Sequence, residues 1–311
     1  MNEQTGNHLP PAAESRLAEI RRSGTWGSAL SADEFTAIRG VGFEPVGQVL
    51  GAAVYNVGYT GGYACPGAWA GYGASYVTPY RSVTAVSGVS SLGSFGPMVQ
   101  TLYQARRTAL GRMSAECAEL GGHGVVGVML TIGSFPAGGL EFKAIGTAVR
   151  APGGVALKKP FTSDLSGQDF AKLIMAGWVP VGMALGISVG ARHDDWLTIN
   201  QTRWGTGNTE VSGYTDLVNQ SRHDARTQLD QDVARLGGRG VVVKTMDMRV
   251  RERECPMVEH RRDHIAEVTI IGTAIAEFKR SQPGKSRPDG SLAILSLDPQ
   301  RRQAARVKLG R

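Results

Sequence analysis

The sequence predicts an α+β fold made of two tandem β-α-β-β units, each an antiparallel sheet with one long helix packed on it. Three observations carry this reading. The stretch 30–54 returns as 165–189, with ten of 25 positions identical at a constant offset of 135. The motif LGGHGVV (120–126) returns as LGGRGVV (236–242), and IGTA recurs at Ile145 and Ile271. Between these markers each half carries an apolar strand, a helix with one apolar stripe, and two further strands.

In the first half, Pro45–Val54 has apolar or small residues on both faces, as a strand covered on both sides requires. The helix falls at about Val99–Leu120, where Ala109, Met113, Cys117 and Leu120 follow one another at steps of four, four and three. Such steps place all four side chains on one helical face. Strands at Gly124–Ile132 and Leu140–Arg150 complete the unit. In the second half the stripe is Ala225, Leu229, Val233 and Leu236, and the strands are Val241–Val250 and Ala266–Phe278. The offset shrinks from 135 to 116 before the helix, so the first half holds a longer insertion there. It then grows to 126, which gives the second half the longer hairpin.

The expected organisation follows. Residues 1–27 read as a flexible, polar N-terminal segment with one short amphipathic stretch, SRLAEIRRSG. The first domain spans 28–150 and includes an aromatic and glycine-rich insertion at 55–98. A Pro/Gly-rich linker follows at 151–160, then the second domain at 161–278 and a basic flexible tail at 279–311.

Glycine-rich LGG motifs raise the question of a phosphate cradle. A cradle needs the order strand, glycine loop, helix N-terminus, because the free N–H groups there attract the anion. Here the glycines follow a helix, whose C-terminal carbonyls repel anions. Gly121, Gly122 and Gly124, and likewise Gly237, Gly238 and Gly240, therefore read as a helix-to-strand joint, the first glycine ending the helix in a left-handed conformation.

The net charge of +7 is local. Residues 279–311 hold nine lysines or arginines and two aspartates, which accounts for the whole excess. A neutral body argues against nucleic-acid binding through the folded part. The tail itself reads as a docking peptide for a protein partner or an anionic surface, or simply as a solubilising end. Three widely spaced cysteines, Cys65, Cys117 and Cys255, speak against a disulfide framework and for a reducing cytoplasm. No stretch approaches the ~18 apolar residues of a membrane span, and the first residues lack the apolar core of a signal peptide.

The run RRTALGRMSAECAELGGHGVVGVMLTI, the closing LEFKAIGTAVR and the earlier PVGQVLGAAVYNVG resemble the YbjQ-like family, labelled a heavy-metal-binding domain. The resemblance covers most of 35–150 and, more weakly, 170–278. It implies a dodecin-like β-α-β-β fold that assembles into rings, usually pentamers, with no established reaction. Two copies in one chain and the insertion at 55–98 depart from that pattern. Small units with two-sided apolar strands also have a physical reason to self-associate.

No HExxH, GxSxG, Walker or Rossmann pattern stands in a fitting context, so no catalytic residue is nominated. Cys117 and His123 are the nearest nucleophile and base. However, Cys117 falls on the apolar stripe opposite Val233, and His123 is matched by Arg239. For metal, the segment CPMVEHRRDH offers Cys255, Glu259, His260 and His264 as candidate ligands of one zinc-class ion. The same segment also reads as a solvated, salt-bridged hairpin. His193, Asp194 and Asp195 form a second polar knot. In the insertion, Tyr59, Tyr63, Trp69 and Tyr72 among glycines are candidate lining for a small-molecule pocket, with packing as the plainer role. The leading expectation is a non-enzymatic, ring-forming oligomeric binding or scaffold protein. The alternative is a metal-binding or metal-stress protein that uses the 255–264 hairpin.

Overall fold

The computed structural model describes residues 9–57, 84–87, 95–136, 139–151, 159–203, 207–255 and 262–277. Helices α1 (Pro11–Ser23) and α2 (Ala32–Gly40) precede strand β1 (Glu44–Tyr55). A short strand β2 (Ala85–Val86), the long helix α3 (Gly96–Glu119), and strands β3 (Gly124–Phe135) and β4 (Gly139–Arg150) complete the first half. The second half runs β5 (Phe161–Thr162), α4 (Gly167–Met175), β6 (Trp178–His193), α5 (Trp196–Gln201), α6 (Ser212–Arg235), β7 (Gly240–Glu254) and β8 (Arg262–Glu277). The protein is therefore of mixed α+β class, with two four-stranded sheets.

The sheets are ordered β1-β4-β3-β5 and β2-β6-β8-β7. In each, the strand before the long helix pairs with the last strand of its half, and the strand after the helix lies beyond it. All pairings are antiparallel except β3 with β5. β1 and β6 carry a bulge at the same place in their sequences, between Pro45 and Gly47 and between Pro180 and Gly182. Proline lacks the N–H a ladder needs, so a bulge is where a strand tolerates it.

The long helices pack on these first strands through the stripes expected from spacing. Ala109, Met113 and Cys117 are fully buried with Val49 and Phe142. Ala225, Leu229 and Val233 pack with Ala184 and Ile270. The approach is close because of one glycine per half. A Cβ on Gly51 would lie 1.9 Å from Ala109 O, and one on Gly186 would lie 2.2 Å from Ala225 O. The strand backbone thus runs directly beneath the helix backbone. The long helices also bury carboxylates against their strands: Glu116 in α3, and Asp224 and Asp232 in α6.

The joints after the helices are alike. Gly121 (φ 69°) and Gly237 (φ 76°) adopt the left-handed conformation. Gly122 and Gly238 then return their N–H groups to Cys117 O at 2.8 Å and Val233 O at 3.0 Å. Gly124 lies against the Phe161 ring, where a Cβ would be 2.2 Å away. Gly240 has more room, its added Cβ meeting Ile275 at 3.6 Å.

Two local features differ from the sequence reading, and a third follows it. The segment before residue 28 contains a regular helix, α1, which buries Ala13 and Leu17 and pairs Arg16 with Glu116. Its amphipathic stretch supplies a face that α3 can cover. The insertion at 55–98 contributes β2 not to its own sheet but to the other one, with Ala85 opposite Ala191 and Val86 opposite Gly190. Phe95, Met98 and Val99 likewise pack on Ile187, Val189 and Ile265. The longer hairpin of the second half is present, with β7 and β8 extending to Glu254 and Arg262.

Candidate functional site

Among the described residues, one group of potential metal ligands lies at the far end of β6, β7 and β8. Register places His193 opposite Asp263, and Arg253 opposite Asp263 on the other side. His193 Nδ1 is 2.9 Å from Asp263 Oδ1. Cys255, one residue past the end of β7, turns back so that its thiol joins them. One ligand atom each from His193, Cys255 and Asp263 lies within 4.8 Å of the others. Cys255 and Asp263 are buried. Imidazole, thiolate and carboxylate together suit a borderline metal such as zinc. Zinc–ligand bonds of about 2.0–2.3 Å would draw such atoms in by roughly 1 Å. The guanidinium of Arg253, 3.6 Å from Asp263 Oδ2, already balances the buried carboxylate.

This is not the ligand set read from the sequence. Cys255 takes part, but His264 does not, because successive residues of a strand point to opposite faces. His264 instead sits between two other carboxylates: its Nδ1 lies 3.1 Å from Asp194 Oδ1 and its Nε2 lies 3.2 Å from Glu252 Oε1. The Tyr214 ring covers it at 4.4 Å. Burial opposes charge on this imidazole, yet the Asp194 and Glu252 carboxylates outweigh it and raise its pKa above the usual histidine value. Glu259 and His260 lie outside the described residues, as do Tyr59, Tyr63, Trp69 and Tyr72.

The second polar knot resolves into separate partners. Asp195 caps α5 by accepting from Thr198 N–H at 2.7 Å and pairs with buried Arg192 at 3.0 Å. Asp194 accepts from the Tyr214 hydroxyl at 3.2 Å. His193 is the one member that faces Cys255 and Asp263. The sequence singles out His193 but does not join it to Asp263 and Cys255, because His193 and Asp263 are 70 residues apart and meet only through the β6–β8 register.

Cys117 and His123 each engage the backbone rather than one another. Cys117 is buried, its pKa pushed up to about 12 by burial, and its thiol donates to Gly124 O at 3.3 Å. His123 accepts from Ala151 N–H at 3.0 Å through Nδ1. A cleft of about 610 Å³ lies between α3 and α6, lined by Tyr103, Arg107, Arg112 and Arg235 among others. Its cations are engaged: Arg107 and Arg235 with Asp232, and Arg112 with Ala52 O.

Over 244 residues, the chain is 34% identical to Encapsulin nanocompartment protein Rv1762c of Mycobacterium tuberculosis, an alignment that spans 75% of this chain and 81% of that protein. The chain belongs to that protein's family. Residues 80–152, from the end of the insertion through β4, also match the YbjQ_1 family, described as "Putative heavy-metal-binding". The matched segment lies in the first half, whereas His193, Cys255 and Asp263 lie in the second. No solved structure matches significantly. Among the described residues, no helix is long and apolar enough to cross a membrane.

Proposed function

We propose that the protein is a non-enzymatic, self-associating scaffold component of a protein compartment, built from two like β-α-β-β units in one chain. The observation that carries this reading is the kinship with a relative whose name describes a nanocompartment protein. Two features of the chain support it. Each half has the same strand order around one long helix, as expected of a unit that was copied. Large apolar side chains remain exposed on the outer strands, among them Met129, Ile132, Val243 and Met246. A surface of that kind marks an interaction face. Native mass spectrometry and electron microscopy of the untagged full chain at micromolar concentration test the proposal. Discrete closed assemblies of many copies are expected, and a strictly monomeric chain overturns it.

A second reading is favoured by the side chains of His193, Cys255 and Asp263: the chain takes up one zinc-class ion per copy at that end of β6. Metal content of protein purified without a histidine tag, compared with Cys255→Ala and His193→Ala, decides it. Stoichiometric metal lost in both variants supports uptake. Equal, negligible loading in all three disposes of it.

A further inference from the structure

Within the chain, one sheet edge is already covered by a segment that the sequence repeats. Residues 161–165 run along the outer edge of β3. Phe161 N–H donates to His123 O at 3.1 Å, and Ser163 N–H donates to Val125 O at 2.9 Å. In return, Gly127 N–H donates to Leu165 O at 3.0 Å and Val128 N–H to Ser163 O at 2.9 Å. The same segment is fixed to the second half from behind. Ser163 Oγ lies 3.1 Å from Thr273 Oγ1, and Asp164 N–H donates to that hydroxyl at 3.1 Å. Residues 161–165 are therefore the leading segment of the second half, laid on the third strand of the first. All five are buried, as are Val125 and Val126 opposite them.

The first half has a leading segment of the same construction, residues 26–30. Ser28 Oγ lies 3.2 Å from Thr147 Oγ1, and Ala29 N–H donates to that hydroxyl at 3.1 Å. Leu30 N–H donates to Ser28 Oγ as Leu165 N–H donates to Ser163 Oγ. Ser31 then caps α2 as Ser166 caps α4. Trp26 stands where the other segment has Phe161, at the same offset of 135. The difference is cover. Trp26 is 38% exposed, Gly27, Ser28 and Ala29 are exposed, and among the described residues no strand pairs with this segment.

The complementary surface is β7, which ends its sheet among the described residues. Val242 and Val243 are 37% and 44% exposed, although the matching Val126 is fully buried beneath the 161–165 segment. Lys244 occupies the bulge of β7, where β3 has Val128. An exposed edge with apolar side chains is a ready template for another strand.

We propose that the β7 edge of one copy takes the 26–30 segment of a second copy in parallel register, Gly240 opposite Trp26 and Val241 opposite Gly27. This deepens the scaffold reading and rests on it. The occupant is specified by the chain's own internal contact, in which the homologous edge holds the homologous segment. Ser28 N–H would donate to Val241 O, while Val243 N–H and Lys244 N–H would donate to Leu30 O and Ser28 O. The two surfaces differ, so the contact is head to tail and propagates into a ring or a filament.

Disulfide trapping tests the register. Paired Cα atoms in neighbouring strands are close enough to bridge. In a full chain with Cys65, Cys117 and Cys255 replaced by alanine, the double variant Gly27→Cys/Val241→Cys should oxidise to a ladder of covalent multimers. A mixture of the two single variants should stop at dimers, and each single variant alone should give none. Val242→Asp/Val243→Asp, at exposed positions, should leave the circular dichroism unchanged and disperse the assembly. The interface is refuted if that variant assembles normally or if Gly27→Cys alone forms dimers. It is refuted equally if the ladder appears only after deletion of 279–311, because the tail would then be the edge's occupant. Any of these results in a chain that still assembles leaves the scaffold reading standing, whereas a monomeric wild-type chain removes that reading as well.

Discussion

The carboxylate of Glu116 lies 2.8 Å from the backbone nitrogen of Leu50 and accepts its hydrogen bond from across the helix–strand interface. Asp232 does the same for Leu185 at 3.0 Å. Both donors directly precede the close-approach glycines, Gly51 and Gly186. Each is partnered by arginine: Glu116 by Arg16 of α1, and Asp232 by Arg107 and Arg235. The two halves thus solve one problem alike, a strand N–H left pointing into a helix.

Removing either acceptor leaves that N–H buried without a partner. Glu116→Ala and Asp232→Ala should each destabilise the fold by about 1–3 kcal/mol in urea denaturation. Glu116→Gln should cost less, because its amide oxygen can still accept. Burial raises the Glu116 pKa against the opposing pull of Leu50 N–H and Arg16.

Gly51→Ala and Gly186→Ala should be more damaging than a typical small-to-large change, which costs about 1–3 kcal/mol. The new methyl meets backbone oxygen at 1.9 and 2.2 Å, and the helix must lift from its strand. Gly111, in the middle of α3 with nothing near its missing Cβ, is the control. There Gly111→Ala should stabilise by about 0.5–1 kcal/mol through helix entropy alone. Thermal melts of the three variants check the ranking.

His264 gives a pH dependence with a definite sign. Its folded pKa is raised by Asp194 and Glu252, against the effect of burial. The stabilisation it provides is therefore fully present below the unfolded value of about 6.5 and is lost as pH rises through the folded pKa. The melting-temperature gap between wild type and His264→Gln should be wider at pH 5.5 than at pH 9. A gap that is constant or widens with pH contradicts the assignment.

Cys117 should resist thiol reagents. Its pKa of about 12 leaves almost no thiolate at pH 8. In a Cys65→Ala/Cys255→Ala background, the folded chain should release negligible thionitrobenzoate from Ellman's reagent, and one equivalent per chain after unfolding.

The periodic parts of this fold were legible and the register-dependent parts were not. The helix stripes at Ala109–Cys117 and Ala225–Val233 follow from spacing, and the left-handed joints follow from Gly121 and Gly237. Spacing along the chain, however, says nothing about which distant strand end will lie alongside. Sequence proximity therefore groups Cys255 with His264, whereas in space Cys255 lies near His193 and Asp263. The placement of β2 in the opposite sheet and of 161–165 on the β3 edge escaped for the same reason. Both are contacts between segments with no shared local signal.

Backbone hydrogen bonds between β3 and residues 161–165 fasten a segment of the second half onto the first sheet. Loosening either half therefore uncovers an edge of the first sheet, and an edge so uncovered is a template for unwanted strand pairing.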